Sequence, residues 1–124
     1  MTEGICPSGW HIPSDGEWQT MEISLGMSES EAAGTGWRGT DEGYQMKSTS
    51  GWNNGGSNSS GFTGLPGGFR YSGGFSDDGN YGFWWSASES GSNSWDRELY
   101  NYSDDVDRIS LNRRYGFSAR CVRD

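Results

Sequence analysis

The sequence predicts a single α+β domain, residues 1–124, in which helices come first and antiparallel strands follow. Helix-capping motifs stand in the first third of the chain, and short aromatic runs with strand-like alternation stand in the last third. Between them lies a long stretch rich in Gly, Ser and Asn, which favours turns. Because only 31% of the residues are apolar, the 7 Trp, 6 Tyr and 5 Phe residues must supply much of the buried surface.

One or two helices are predicted near the N-terminus, the first at about residues 15 to 25. Ser14 and Glu17 have the spacing of a capping box, in which each side chain accepts a hydrogen bond from the other residue's backbone N–H. Apolar residues follow at helical spacing, and Gly26 stands where a glycine commonly ends a helix. The same capping pattern recurs at residues 28 to 33, which predicts a second, shorter helix.

The middle of the chain, residues 37 to 80, is predicted to be ordered but rich in loops, with a turn at residues 65 to 68. A disordered tract would lack aromatic side chains spaced so regularly. We therefore expect five aromatic side chains to anchor this segment: Trp52, Phe62, Phe69, Tyr71 and Phe75.

The last third is predicted to form a small antiparallel sheet. Strands are expected at residues 83 to 88, 95 to 100, 106 to 111 and 117 to 122. Because side chains alternate along a strand, one face should bury Trp95, Arg97 and Leu99, and the opposite face should expose Asp96, Glu98 and Tyr100.

Three arginines fall on the strand faces that are expected to point inward: Arg97, Arg108 and Arg120. A buried guanidinium needs a carboxylate partner. The first helix and its start offer three candidates: Asp15, Glu17 and Glu22. We expect ion pairs between helix and sheet.

The charge and hydropathy of the chain exclude some classes of partner. The formal net charge of −8 makes nucleic acid an unfavourable ligand, since phosphate binding needs a basic surface. No run approaches the ~18 apolar residues of a membrane span, so we expect no direct membrane insertion. The N-terminal residues lack the apolar stretch of a signal peptide, so the chain itself carries no targeting signal.

Enzymatic and metal sites are not expected. His11, the single histidine, stands beside Trp10 at the start of the first helix with no Ser/His/Asp set around it, so a packing or capping role is favoured over a catalytic base. The acidic runs at residues 77 to 80 and 104 to 107 could supply oxygen ligands to Ca²⁺. Neither run has EF-hand spacing or a lectin calcium motif, so solvated loops without metal or other cofactor are expected.

The two cysteines, Cys6 and Cys121, lie at opposite ends of the chain. If they were bonded, nearly the whole chain would be one closed loop, and loop-closure entropy would stabilise the fold by about 4 to 5 kcal/mol. Two unpaired buried thiols are the alternative interpretation of the same residues.

Four motifs resemble, in their order along the chain, the Fibrobacter succinogenes major paralogous domain. They are residues 6–15 (CPSGWHIPSD), 65–70 (LPGGFR), 84–86 (WWS) and 116–122 (GFSARCV), and the match covers essentially the full length. That family is similar to the C-type lectin-like fold of formylglycine-generating enzymes, in which the termini meet and a loop-rich middle packs against a small antiparallel sheet.

The resemblance implies a disulfide between Cys6 and Cys121 and an extracellular or cell-surface location in a bacterium, or a place on a phage particle. Formylglycine-generating enzymes need cysteines in their active site, and both cysteines of this chain suit a structural bridge. The resemblance therefore implies no catalytic residue.

The last third also resembles the variable proteins of diversity-generating retroelements, which use C-type lectin-like folds. Their mechanism rewrites adenines, so that AAC codons for Asn become codons for Tyr, Asp, Ser, Ile, Leu or Arg. Most polar and aromatic residues between about 93 and 115 are of these types, although Glu98 cannot be reached from AAC.

We therefore expect a non-enzymatic domain that binds a protein or glycan ligand through an exposed face at about residues 93 to 115. The expected binding residues are Asn93, Asp96, Glu98, Tyr100, Tyr102, Asp104, Asp105, Asp107, Ile109, Leu111, Arg114 and Tyr115. A structural module of a surface protein is one alternative. A calcium-dependent glycan-binding lectin is another.

Overall fold

The computed structural model describes residues 4–76 and 78–124, and in this part of the chain it has three short helices and nine strands. The helices are α1 (Asp15–Ser24), α2 (Glu29–Ala32) and α3 (Glu42–Met46). The strands are β1 (Trp10–His11), β2 (Gly36–Arg38), β3 (Phe69–Tyr71), β4 (Gly74–Ser76), β5 (Tyr81–Ser90), β6 (Asn93–Tyr100), β7 (Val106–Arg108), β8 (Ser110–Asn112) and β9 (Val122–Arg123). The predicted α+β class is confirmed.

The main sheet has five strands in the order β2-β7-β6-β5, with β8 also pairing with β6. Strands β1 and β9 form a second, two-stranded sheet, and β3 and β4 form a hairpin. All of these pairs are antiparallel. β6 lies inside the main sheet because β5 pairs with one edge and β7 and β8 share the other.

Both predicted helices are present, and each begins with the predicted capping box. The Ser14 hydroxyl accepts a hydrogen bond from the Glu17 backbone N–H at 3.1 Å, and the Glu17 carboxylate accepts one from the Ser14 N–H at 3.0 Å. Ser28 and Glu31 do the same at the start of α2. Gly26 follows α1 with φ +126°, a left-handed conformation that glycine adopts without strain.

The two ends of the chain lie side by side. Cys6 and Cys121 form a disulfide, with their Cα atoms 5.7 Å apart and a sequence separation of 115. The β1–β9 pair continues this contact, with His11 opposite Val122. The predicted bridge and the predicted adjacency of the termini are therefore confirmed.

Two predicted strands differ from the structure. The expected strand 106–111 is divided into β7 and β8 at Ile109, whose carbonyl oxygen accepts a hydrogen bond from the Asp96 N–H at 2.9 Å. The expected terminal strand 117–122 is wrong except at its last residue. Ser118 makes only an isolated bridge to Trp84 of β5, because the chain then turns away to bring Cys121 to Cys6.

The loop-rich middle is anchored by three of the five predicted aromatic side chains, since the half-buried Phe69 also packs its ring 5.3 Å from that of Phe83. Trp52 and Phe62 are buried, and the Trp52 indole N–H donates to the Gly64 carbonyl oxygen at 2.8 Å. Tyr71 and Phe75 are exposed instead, since the β3–β4 hairpin projects from the domain surface. Strand β2 and helix α3 also lie in this segment and were not predicted.

The core lies between α1, α2 and one face of the main sheet. Its buried apolar residues are Trp18, Met27, Ala32, Met46, Trp52, Phe62, Trp84, Leu99 and Val106. Phe62 joins the helix to the sheet, because its ring centroid lies 5.5 Å from those of both Trp18 and Trp84. Leu99 of β6 and Val106 of β7 have no exposed surface, so this part of the face is completely covered.

Arginines and carboxylates are buried together in this core. Arg97 reaches Asp15 and Glu22 of α1 at 2.7 Å each, and Glu22 also pairs with Arg38 of β2 at 2.6 Å. Arg108 of β7 pairs with Asp15 at 2.8 Å. The predicted partners of Arg97 and Arg108 are confirmed among the candidates. Burial raises the pKa of Asp15, but the guanidinium groups of Arg108 and Arg97 outweigh this and hold the pKa at about 2.

Arg120 differs from the other two predicted inward arginines. It is half-buried, and its guanidinium lies over the Phe62 ring at 4.8 Å from the centroid. Glu17, one of the predicted arginine partners, instead pairs with His11. Arg38 is the third arginine of the core ion-pair network. The sequence did not reveal this role, because Arg38 belongs to the short strand β2 in the loop-rich segment.

A candidate binding face of aromatic rings and buried carboxylates

The face of the main sheet that points away from α1 and α2 is built by strand alternation. The cross-strand pairs of β5 and β6 on this face are Tyr81 with Tyr100, Phe83 with Glu98, and Trp85 with Asp96. The intervening residues Trp84, Arg97 and Leu99 point into the core, so the predicted division of β6 into two faces is correct. Trp95 is only half-buried and packs its ring against Arg108, 3.9 Å from ring centroid to guanidinium.

The predicted exposure of this face is wrong for its acidic residues. Asp96 is fully buried, and Glu98 and Asp107 are only 4% and 7% exposed. Phe117 covers this part of the sheet, because its ring lies 4.3 Å from Trp85 and 5.0 Å from Phe83. Both faces of the sheet are therefore buried at its centre, one by the helices and one by aromatic side chains.

These side chains form a continuous aromatic layer. Ring-to-ring contacts with centroids 4.2 to 6.3 Å apart join its members: Trp37, Phe69, Tyr71, Tyr81, Phe83, Trp85, Tyr100, Tyr102, Tyr115 and Phe117. Three rings at its margin are exposed, namely Tyr102 at 70%, Tyr71 at 42% and Trp37 at 40%. The layer thus presents apolar ring surface to solvent over a rigid support.

An acidic cluster, Asp96, Glu98 and Asp107, lies beneath the aromatic layer. Glu98 and Asp107 are direct neighbours across β6 and β7, and the Tyr100 hydroxyl donates to Glu98 at 2.9 Å. Both side-chain oxygens of Asp96 are buried and make no hydrogen bond of ordinary geometry with the described residues, although the Glu98 carboxyl group and the Ile109 backbone N–H lie close enough to affect the pKa of Asp96. A buried carboxylate in this state is held at high free energy.

Two carboxyl groups of the cluster have raised pKa values, which favour their protonated forms. Burial, followed by the nearby Glu98 carboxyl group, raises the pKa of Asp96 far above its usual range. Burial and the charge of Glu98 also raise the pKa of Asp107. The same two causes raise the pKa of the Tyr100 hydroxyl, so it stays a hydrogen-bond donor at neutral pH.

The structure distributes the twelve predicted binding residues over three places. Four of them meet at the acidic cluster: Asp96, Glu98, Tyr100 and Asp107. Tyr102 and Tyr115 belong to the aromatic layer. The remaining six lie at the ends of the strands or in turns: Asn93, Asp104, Asp105, Ile109, Leu111 and Arg114.

The six outlying residues do not form one site. Asn93 and Leu111 lie at the β6–β8 end of the sheet, where Asn93 pairs with Asn112. The exposed Arg114 follows them, and Ile109 is half-buried beside Asp96. Asp104 and Asp105 lie at the opposite end, in the turn that contacts α3 through the Tyr44 N–H and the Asp104 carbonyl oxygen at 3.1 Å.

Sequence reasoning missed the other rings of the aromatic layer. Tyr81, Phe83 and Trp85 stand at alternate positions of β5, and this spacing alone places them on one face. If β5 pairs with β6, this alternation predicts that the three rings lie on the same face as Asp96, Glu98 and Tyr100. No local pattern brings Trp37, Phe69 or Phe117 to the same face, because they come from distant parts of the chain.

His11 lies outside this face, between two carboxylates. Its Nδ1 is 2.6 Å from Asp124, and its Nε2 is 2.9 Å from Glu17. The hydrogen bond to Asp124, followed by that to Glu17, raises the pKa of His11. It thereby connects the start of α1 to the end of the chain, in keeping with the packing or capping role favoured by the sequence.

Searches for metal and membrane features can be reported for residues 4–76 and 78–124. Within these ranges no three His, Cys, Asp or Glu side chains are grouped so that they could hold a metal ion. Asp105 accepts a hydrogen bond from the Ser103 hydroxyl, and Asp104 is exposed. Of the other acidic run, Asp77 falls outside the described residues. Within the same ranges no helix is long and apolar enough to span a membrane.

Comparison with known proteins identifies the family. No significant match was found among curated proteins or among solved structures. The family model described as the Fibrobacter succinogenes major domain matches residues 1–123. Because this match spans nearly the whole chain, the protein belongs to the Fibrobacter succinogenes major domain family.

Proposed function

We propose that this is a non-enzymatic ligand-binding domain with a C-type lectin-like fold, and that its binding surface is the aromatic layer with the acidic cluster beneath it. The observation that carries the proposal is the exposed margin of the layer: Trp37, Tyr71 and Tyr102 present their rings to solvent. Aromatic rings that are exposed on a rigid support supply large contact area with little loss of side-chain entropy, and binding surfaces are enriched in them.

The fold supports this use of the face. The core ion pairs of Arg97 lie on the opposite face of β6 from the aromatic layer, and the disulfide between Cys6 and Cys121 contains no residue of the layer, so the layer can vary without removing them. The adjacent termini and loop-rich middle accord with the proposed C-type lectin-like fold. The disulfide also supports an extracellular, cell-surface or phage-particle location, since disulfides persist mainly in oxidising compartments.

Diversification by a retroelement is the second part of the proposal. Tyr102, Asp104 and Arg114 are exposed residues of types that adenine rewriting produces, so substitutions there would alter the surface and spare the core. Glu98, which such rewriting cannot produce from AAC, is buried in the acidic cluster. We therefore expect variation among isolates at exposed positions between residues 93 and 115. Sequencing the same locus in several isolates tests this, and changes spread evenly over the chain would contradict it.

The binding role is tested with glycan and peptide arrays. The wild-type domain should bind at least one member, and the combined change Tyr71→Ala with Tyr102→Ala should abolish that binding. Tyr44→Ala is the matched control, because Tyr44 is 43% exposed but makes no ring contact with the aromatic layer. If the double variant and the control bind equally well, the ligand does not use this face. If the wild-type domain binds nothing, a structural module is favoured.

A further inference from the structure

We propose that the group recognised at this face is an organic cation, an ammonium or guanidinium group, which binds to Glu98 and Asp107 next to Trp37 and Tyr100. This inference rests on the proposed function, since it names the chemistry of the ligand for the same face. It adds a charge requirement that the aromatic rings alone do not impose.

The first argument is the imbalance of charge between the two faces of the sheet. On the core face, Asp15 and Glu22 have ion pairs with three arginines. On the other face, the acidic cluster has three carboxyl groups, and among the described residues no Lys, Arg or His nitrogen forms a salt bridge with them. Arg38 acts on Asp107 only through the longer-range charge interaction from the core face.

The second argument is the buried and unpartnered carboxyl group of Asp96. It points to the same face as Glu98, and neither of its oxygens accepts a hydrogen bond from a described donor. Ionised carboxylates at this position would repel one another, and without a cation the cluster must retain protons. The raised pKa values of Asp96 and Asp107 agree with this state. A bound cation would stabilise the ionised form and release a proton.

The surroundings favour an organic cation over a metal ion. Calcium requires six to eight oxygen ligands, and the described acidic side chains are not grouped for metal binding. Aromatic rings supply no metal ligand, but their faces attract ammonium and guanidinium groups. Tyr100 is at the centre of such a group of rings, with centroids 4.2 Å from Tyr81 and 4.6 Å from Trp37.

The exposed rings indicate the side from which the cation arrives. Trp37 and Tyr102 are exposed and contact Tyr100, whose hydroxyl covers Glu98. Asp107 is the cross-strand neighbour of Trp37 and is 7% exposed. A cation that approaches past these rings meets Glu98 and Asp107 before Asp96, and it replaces the Tyr100 hydroxyl as the partner of Glu98.

The test is titration of the whole domain with defined probes by isothermal calorimetry at constant ionic strength. The cationic probes are N-acetyl-lysine amide, N-acetyl-arginine amide and choline, and the neutral control is N-acetyl-norleucine amide. We expect a cationic probe to bind about tenfold or more tightly than the neutral one, because the neutral probe lacks the positive charge that the carboxylates and ring faces attract and, compared with the lysine and arginine amides, the charged N–H donors as well. Preference for the amides indicates a basic side chain of a protein ligand, and preference for choline indicates a quaternary ammonium compound.

Variants localise the effect. Glu98→Gln and Asp107→Asn should each lower the affinity for the cationic probe about tenfold, because each removes a carboxylate that attracts the cation. Glu29→Gln is the matched control, since it removes one charge from an exposed residue of α2, on the other side of the sheet from the cluster, and should leave the affinity unchanged. Binding measured in phosphate and in HEPES, which differ in ionisation enthalpy and carry no net positive charge, should reveal the released proton. Thermal unfolding verifies that each variant is folded.

The outcomes separate this inference from the proposed function. Equal affinity of the wild-type domain for cationic and neutral probes overturns the cation inference, whatever the variants do. An equal effect of Glu29→Gln and Glu98→Gln overturns it as well, because general electrostatic attraction would then be the cause. If an array ligand depends on Tyr71 and Tyr102 but not on Glu98, the binding role is supported and the cation inference fails. If the ligand depends on none of them, both fail.

Discussion

The two faces of the main sheet treat buried acidic residues in opposite ways. On the core face, Asp15 and Glu22 pair with arginine side chains that lie 2.6 to 2.8 Å away. On the outer face, Asp96 is also buried but has aromatic neighbours and a second carboxyl group. Burial raises the pKa of both residues, yet the pKa of Asp15 is lowered overall and that of Asp96 is raised. The difference shows that the charged partner of a buried carboxyl group decides the direction of the shift.

Removing the central arginine should have the largest effect. Arg97→Met removes the guanidinium that bridges Asp15 and Glu22, so each buried carboxylate loses a hydrogen bond of 2.7 Å and keeps one other arginine partner, Arg108 or Arg38. We expect the change to lower the free energy of unfolding by about 3 kcal/mol. Arg113→Met is the control, because Arg113 is exposed and lies 3.6 Å from the exposed Glu89, a pair worth about 0 to 1 kcal/mol. Urea denaturation at pH 7 measures both. Equal losses in the two variants would mean that the core arginine network adds little stability.

The comparison of the two carboxyl groups is tested directly by neutralising the core one. Asp15→Asn removes a carboxylate whose pKa of about 2 lies below the ordinary value of 3.8. This shift corresponds to about 2 kcal/mol of stability at pH 7. The contribution is fully present above pH 4 and is lost as the pH falls through the folded-state pKa, so wild type and variant should converge near pH 2. Parallel curves would show that the ion pairs of Asp15 are not responsible.

Neutralising the outer carboxyl group should have the opposite sign. Asp96 is protonated in the folded state and ionised in the unfolded chain at pH 7, so ionisation favours unfolding. Asp96→Asn removes this effect, and we expect it to raise the free energy of unfolding at pH 7 by about 1 kcal/mol, after allowance for the buried amide.

The pH profile supplies the control for this prediction. A carboxyl group with a raised pKa contributes stability that is fully present below the unfolded value of 3.8 and is lost as the pH rises to the folded value, which is about 6 for Asp107 and higher still for Asp96. Wild-type stability should therefore decrease from about pH 4 upward. The slopes are compared between about pH 4 and 6, because His11, whose pKa is raised from 6.5, adds a decrease of its own at higher pH. In this window Asp96→Asn should flatten the decrease, whereas Asp15→Asn should not. Of the groups that face Asp96, namely Glu98, Asp107 and Tyr100, Asp107 adds to the slope. An unchanged slope in Asp96→Asn would contradict the raised pKa.

The smallest effect on stability is expected at the margin of the outer face. Tyr102 is 70% exposed, so Tyr102→Ala should change the free energy of unfolding by no more than about 0.5 kcal/mol. Tyr100→Ala should destabilise more, because Tyr100 is half-buried and donates a hydrogen bond to Glu98. Chemical denaturation of the two variants compares them. Similar large losses would assign both tyrosines to the structural core and would leave the ligand-binding face to be sought elsewhere.

The sequence predicted the residue types of the candidate site and the face of β6 on which each residue lies, but it did not predict how far these residues are exposed. Alternation along β6 correctly separates Arg97 and Leu99 from Asp96 and Glu98, because strand geometry requires it. The expectation that Asp96 and Glu98 face solvent assumed an uncovered sheet face. Phe117 and Trp37, which come from distant parts of the chain, cover that face. No local sequence pattern predicts contacts between residues so far apart in sequence.

The sequence by itself determined the features that depend on neighbouring residues: the capping boxes at Ser14 and Ser28, the ends of α1 and the two-residue alternation of the last third. The motifs around Cys6 and Cys121 also determined the family and, through it, the disulfide. Only the tertiary structure decided which carboxyl groups meet arginine and which meet aromatic rings. Asp15 and Asp96 are the same amino acid, but their pKa values shift in opposite directions. Asp15 contacts arginines that lie about 80 or more positions away in sequence. Asp96 is enclosed by the aromatic layer instead.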